Sequence, residues 1–347
     1  MFEKSFVSDC EGPLTLNDNA YELADNFIED GGELFKILSL YDDYLADVVK
    51  MENYKVGNTL KFILPFFVVE GLKNKDMIDF SKNNIYAVSD SKFLLKYLKE
   101  AMNTYIVSTS YGQYIEAVSN YMEVPFENTF HTNVDMDCLK LNDEETQKII
   151  EFKKMILENP TDYELFDDIF FTQIPEMGIY EKIRQIEVVG GKGKKLAIDR
   201  IIERDSINQN EIFYIGDSIT DVEPLEFAHN NNGISVSFNG NEYPLKVAEI
   251  AIVSPSAVPT ALLADVYARN DKNKVLEFIK DYNESDDLKK LFDEYNVLNE
   301  IRDKFFATFS NNYPVIQIIT RENYSEILKI SKEMRNNIRG QDIGELG

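Results

Sequence analysis

Four short apolar runs along this chain each deliver polar residues at their C-terminal end. Ser5-Phe6-Val7-Ser8 runs into Asp9-Cys10-Glu11-Gly12-Pro13. Thr104-Tyr105-Ile106-Val107 runs into Ser108-Thr109-Ser110. Glu187-Val188-Val189 runs into Gly190-Gly191-Lys192-Gly193-Lys194-Lys195, and Ile212-Phe213-Tyr214-Ile215 into Gly216-Asp217-Ser218-Ile219-Thr220-Asp221. Apolar runs of this length read as buried strands, and the segments between them carry apolar residues at helical spacing. Two further runs, 233–240 and 247–253, read as the last strands of the same sheet. Strands alternating with helices predict an α/β fold with a central parallel sheet, where residues beyond the carboxyl ends of the strands meet at one edge.

The intervening segments are longer than simple crossovers need. Ala20–Ile28, Leu34–Val49 and Thr59–Val69 read as amphipathic helices punctuated by Gly31-Gly32 and Gly57-Asn58. A short strand start and a helix are expected over 86–100, and a helix over Tyr111–Met122. Within 126–185 the pattern gives a helix over Asp143–Leu157, a stop at Pro160 and an apolar stretch at Ile169-Phe170-Phe171. Beyond 262 it predicts helices over Ala261–Arg269, Lys274–Tyr282 and Leu288–Ala307, a strand over Val315–Ile319 and a last helix over Tyr324–Met334, with the final ten residues frayed. The expected organisation is a core from 1–15, 86–125 and 186–262, a helical unit over 16–85, a second insertion over 126–185 and a mostly helical C-terminal extension over 263–347.

The 347 residues are 44% hydrophobic, enough for a large core. A formal charge of -25 argues against nucleic acid or an anionic membrane as the main partner, because affinity for a polyanion comes mostly from Lys and Arg. Two cysteines, Cys10 and Cys138, make no disulfide framework, and two histidines, His131 and His229, make no histidine-rich metal site. The longest apolar run, Phe62–Val69, contains Pro65 and falls far below the roughly 20 residues of a membrane helix. With no basic-then-apolar leader at its start, the chain is expected to be soluble and cytoplasmic.

Asp9 and Glu11 follow directly on a buried run, and an unpaired buried carboxylate costs several kcal/mol, so a cation, a donor or a metal must answer them. The glycine-lysine stretch is not a phosphate-binding P-loop, since Val188 and Lys195 stand where that motif needs Gly and Ser or Thr. Asp135-Met136-Asp137-Cys138 repeats an acidic spacing without an apolar run before it and reads as a solvated loop.

Taken in order, the four segments resemble the haloacid dehalogenase (HAD) superfamily, whose motifs are D-x-D, a Ser or Thr ending a strand, a Lys, and G-D-x-x-x-D. The match holds at Asp9, Ser108, Lys194, Gly216, Asp217 and Asp221 and departs at Glu11, usually Asp, and at Pro13, usually Thr. Enolase-phosphatases and phosphoserine–homoserine phosphotransferases of that superfamily also read D-x-E-G. The resemblance implies a Rossmann-like core with a cap at 16–85. It further implies a Mg²⁺-dependent phosphatase acting on a small phosphorylated metabolite through an aspartyl-phosphate. Asp9 would be the nucleophile and Glu11 the acid and base. Ser108, with Thr109 as rival, and Lys194, with Lys192 and Lys195 nearby, would hold the phosphate. The metal set would be Asp9, Glu11 through its backbone carbonyl, Asp217, and Asp221, the last orienting the ion's water shell or Lys194. The arrangement also looks like an archaeal HAD group filed as subunit R of energy-converting hydrogenase A. A phosphotransferase and a non-catalytic protein docked on a hydrogenase-like assembly stand as alternatives, and the partners left open are a homo-oligomer or such an assembly. A phosphorylation-switch receiver is disfavoured because its acid pair precedes the phosphorylated Asp, and a dehalogenase because Asp217 would be idle.

Overall fold

The computed structural model of the chain describes residues 2–52, 54–310 and 312–344. Seven strands form one sheet: β1 (Ser5–Ser8), β2 (Asn103–Tyr111), β3 (Thr129–Thr132), β4 (Ile212–Gly216), β5 (Ile234–Phe238), β6 (Ile250–Val253) and β7 (Val315–Ile318). Their order is β3-β2-β1-β4-β5-β6-β7, with the first six parallel and β7 antiparallel at the edge of β6. From β1 the chain winds outward to β2 and β3, then crosses back to β4 on the other side. The strand order therefore reverses at β1, and a crevice opens beyond its carboxyl end. The register puts Ser8 level with Ile106 of β2 and Ile215 of β4, so Asp9 emerges between these neighbours.

Alternation along each strand feeds two buried layers. Phe6, Ile106, Phe213 and Ile215 face the helices Ser91–Ala101, Gly112–Met122 and Val258–Arg269, and behind the last of these Phe278, Phe292 and Phe305 of the C-terminal helices. Val7, Tyr105, Val107 and Tyr214 face the helices Lys192–Asp205 and Val222–Asn230. A separate apolar cluster joins the helices of 19–83 to those of 136–183, with Leu38, Phe66 and Phe67 against Ile149, Phe166 and Phe170. The two insertions thus share one core, which sits over the crevice.

Several elements depart from the sequence reading. β3 lies within 126–185 and yet joins the sheet, as β7 does from 263–347. The expected helix over Leu34–Val49 is α-helical only over Gly31–Asp43 and widens to a π-helix at Tyr44–Val49. Leu288–Ala307 is two helices, Leu288–Glu294 and Asn299–Phe309, parted where Asn296 takes a positive φ of 52°. A helix over Asn74–Asn83 carried no strong signal. The last long helix runs from Tyr324 to Arg339, five residues past its expected end, and a short helix follows at Gln341–Gly344. The fraying expected of the final ten residues therefore does not hold over 338–344, because Arg335 and Arg339 are anchored in the interior; residues 345–347 lie outside the described residues.

Candidate active site

Asp9 leaves β1 with its amide on Ile215 O at 2.9 Å, which seats its side chain at the mouth of the crevice. Oδ1 accepts from the Cys10 amide at 2.6 Å, and Oδ2 accepts from Lys194 Nζ at 2.5 Å. The chain then turns sharply, with the Leu14 and Thr15 amides both on Cys10 O. Gly12 makes this turn possible twice over. Its φ is +98°, and a Cβ there would stand 2.2 Å from Asp217 Cγ.

Lys194 enters from the first turn of the helix Lys192–Asp205 and is completely buried. It bridges Asp9 and Asp221, donating to Asp221 Oδ1 at 2.8 Å. Burial alone would pull its pKa down, but Asp221 and Asp9 outweigh that and hold the ammonium charged. Lys192 is exposed, and Lys195 pairs with Asp199 at 2.7 Å. Of the three lysines, only Lys194 reaches the carboxylates.

Asp221 has its oxygens fully engaged. Oδ1 takes Lys194 and Tyr214 OH, the latter at 2.7 Å, and Oδ2 takes the Asp217 and Ser218 amides at 3.0 and 3.1 Å. Against the cost of burial, these donors and Lys194 keep its carboxyl below the usual range. Asp9 goes the other way. Burial and the nearby Asp221 push its carboxyl well up, and Lys194 only partly opposes them.

Asp217 answers to two residues that the sequence did not single out. Its Oδ2 accepts from Arg335, in a close pair, and from Arg339 Nη1 at 3.0 Å. Both guanidiniums come from the last long helix and are buried. A charged, amphipathic C-terminal helix reads as solvated, and the spacing of Arg335 and Arg339 on one of its faces was the single available signal.

Glu11 turns away from this cluster. Its Oε1 accepts from the Asn19 amide at 2.7 Å, at the start of the first cap helix. Burial and neighbouring Asp18 push its carboxyl well up, against the Asn19 N–H and Arg339. Ser108, fully buried, and Thr109 line the same cleft, and Thr109 Oγ1 is buried with no hydrogen-bond partner among the described residues. The opposite wall comes from the cap, with Phe35, Ser39, Asp42 and Asp43. Asp135 and Asp137 lie elsewhere, bonded to Asn74 on the surface.

Asp9, Asp217 and Asp221 are all buried and each offers an oxygen within 4.8 Å of the others, a hard-oxygen set suited to a divalent cation. The elevated Asp9 carboxyl fits the same reading, since a cation beside it would favour its ionised form. With Asp221 saturated, Asp9 and Asp217 are the side chains placed to hold such an ion.

A crevice at the reversal of strand order gathers Asp9 from the end of β1, Ser108 from β2, Asp217 from the end of β4 and Lys194 from the first turn of a helix. This is the arrangement that the resemblance to the haloacid dehalogenase superfamily implies. No protein-family model matches the sequence, and no curated protein matches it. Among solved structures, gene product AF1437 of Archaeoglobus fulgidus is 27% identical, with a TM-score of 0.80 over 99% of both chains. That likeness therefore runs through both insertions and the C-terminal helices as well as the sheet. A phospho-aspartyl intermediate analogue of phosphoserine phosphatase is 13% identical over 72% of this chain and 93% of that one, at a TM-score of 0.48. A HAD family hydrolase of Salmonella enterica serovar Typhi is 10% identical over 70% and 64%, at 0.45. None of the described helices is long and apolar enough to cross a membrane.

Proposed function

We propose that the protein is a Mg²⁺-dependent phosphatase for a small phosphomonoester, working through a phosphorylated Asp9. The observation that carries this reading is the buried bridge of Lys194 between Asp9 and Asp221, which fixes one carboxylate at the crevice mouth beside two others. Asp9 and Asp217, with the Glu11 backbone carbonyl, would hold the ion, which neutralises phosphate charge and keeps Asp9 ionised.

An Asp9 carboxylate oxygen attacks phosphorus, and the new Asp9 O–P bond forms as the bond to the leaving alcohol breaks. Glu11 begins protonated, as its raised carboxyl allows, and gives that proton to the departing alkoxide. As a carboxylate it then takes a proton from the water that attacks phosphorus, releasing phosphate and restoring Asp9. Lys194 and the Ser108 or Thr109 hydroxyl hold the equatorial oxygens, where positioning and charge supply most of the rate. The unpartnered Thr109 Oγ1 favours Thr109 as a participant in that cradle. The cap above Asp9 and Glu11 excludes water from the first step.

The test is phosphate release from a panel of small phosphomonoesters, with Mg²⁺ or with chelator, for the wild type and Asp9→Asn. Turnover that needs both the ion and Asp9 supports the reading. Metal-independent turnover that survives in Asp9→Asn rejects it, and complete inactivity with stable capture of a larger assembly favours a docking protein.

A further inference from the structure

Arg335 and Arg339 stand one helical turn apart on the same face, where two like charges repel. Asp217 Oδ2 lies between them and compensates both. Asp9 and Asp221 share Lys194 and Asp217 takes Arg335 and Arg339, three carboxylates against three cations, while Glu11, Asp18, Asp42 and Asp43 line the same crevice beyond them.

The guanidiniums are tied to the protein as well as to Asp217. Arg339 Nε donates to Leu16 O at 3.1 Å and Nη2 to Asn17 O at 2.6 Å, the backbone where the chain leaves the core for the cap. Arg335 Nε donates to Gly344 O at 2.8 Å and Nη1 to Asp217 O at 3.3 Å. The short helix that Gly344 closes reaches the cap itself, where Asp342 pairs with Lys36 at 2.5 Å. Donors committed to backbone carbonyls in this way position a site, whereas a substrate-binding arginine would need them for its ligand.

Resting on the metal-dependent reading above, we infer that Arg335 and Arg339 are positioning residues that compete with the divalent cation for Asp217. Ion binding and the grip of the C-terminal helix on the cap hinge then oppose each other. A divalent cation arriving at Asp217 meets two guanidiniums already there. It weakens their hold, and the weakening is passed through Arg339 to Leu16 and Asn17. Linkage makes the effect reciprocal, so the arginines lower ion affinity by the factor with which the ion loosens the helix.

Calorimetric titration with Mg²⁺ alone, on full-length wild type, Arg335→Met and Arg339→Met, reads the first half of this coupling. Tighter binding in the variants, by about tenfold or more, is expected. Equal or weaker binding in a folded variant overturns the inference. Amide hydrogen exchange on the wild type, which needs no variant to fold, reads the second half. Mg²⁺ should speed exchange over 335–344 and 16–20, and slowed or unchanged exchange under saturating Mg²⁺ overturns the coupling. If no form binds Mg²⁺, the metal-dependent reading falls and takes this inference with it. If all bind it alike, the inference alone falls.

Discussion

Lys194 donates to Asp9 from a side chain with no solvent exposure, 185 positions along the chain. Removing one partner of a buried ion pair leaves the other charge uncompensated and costs about 3–5 kcal/mol. Lys194→Met is therefore expected to lower stability by about that amount and to abolish turnover. Denaturant unfolding checks the first effect and phosphate release the second. An unchanged unfolding midpoint would show that Asp9 and Asp221 find another counter-charge.

Asp9→Asn should lose about 10⁴-fold or more in turnover, because the amide supplies no nucleophile. The fold is expected to survive, since Asn retains an acceptor for the Cys10 amide. Trapping the acid-quenched protein after exposure to substrate should give a phosphorylated peptide containing residue 9 in the wild type and none in the variant.

Glu11→Gln should slow turnover by about 10²–10⁴-fold. Its carboxyl is pushed up by burial and Asp18, so the proton-donating form persists above the usual carboxylate range. It is lost as pH rises through the raised value. In a wild-type pH–rate profile, kcat should accordingly fall on the alkaline side of that value, and the limb should be absent from Glu11→Gln. A profile identical in both proteins would assign the proton to another group.

Asp43, on the cap wall, has its pKa pushed from 3.8 up to about 8 by burial and by Asp42, Asp47 and Glu242. The folded state holds this proton more tightly than the unfolded chain. The contribution is complete below about pH 4 and is lost as pH rises towards about 8. Melting temperatures recorded across that window should fall more steeply for the wild type than for Asp43→Asn. Parallel curves would place the titration elsewhere.

Gly12→Ala should damage the site more than its size suggests. The added Cβ would meet Asp217 Cγ at 2.2 Å in a backbone conformation that costs a non-glycine residue about 1–3 kcal/mol. A fall in Mg²⁺ affinity greater than any fall in melting temperature would mark the displacement of Asp217.

What the sequence discloses of this site is what local pattern can carry. Each of Asp9, Ser108 and Asp217 follows an apolar run that forms a strand and sets the edge at which the residue emerges, whereas the run at 187–189 forms no strand and Lys194 comes from the helix after it. Lys194 was separable from Lys192 and Lys195 by the resemblance as much as by chemistry; burial now supplies the physical reason. Arg335 and Arg339 were illegible because their partner Asp217 lies 118 and 122 residues away. No run of neighbours distinguishes a buried arginine on an amphipathic helix from a solvated one. The same reason hid β3, whose Thr129–Thr132 is too short and too polar to read as a strand until β2 supplies its ladder.

The bonds from Arg339 to Leu16 and Asn17 also set an order in time. They join positions 322 and 323 apart, so the carbonyls where the cap begins leave the ribosome long before the guanidinium that secures them exists. A nascent chain can lay down β1 and its neighbours early, yet Asp217 stays without its arginine partners until the last long helix has been made. The contacts that complete the crevice are among the most distant in the chain, the kind that form late and slowly. Synthesis itself thereby withholds the finished site until Arg339 has been made.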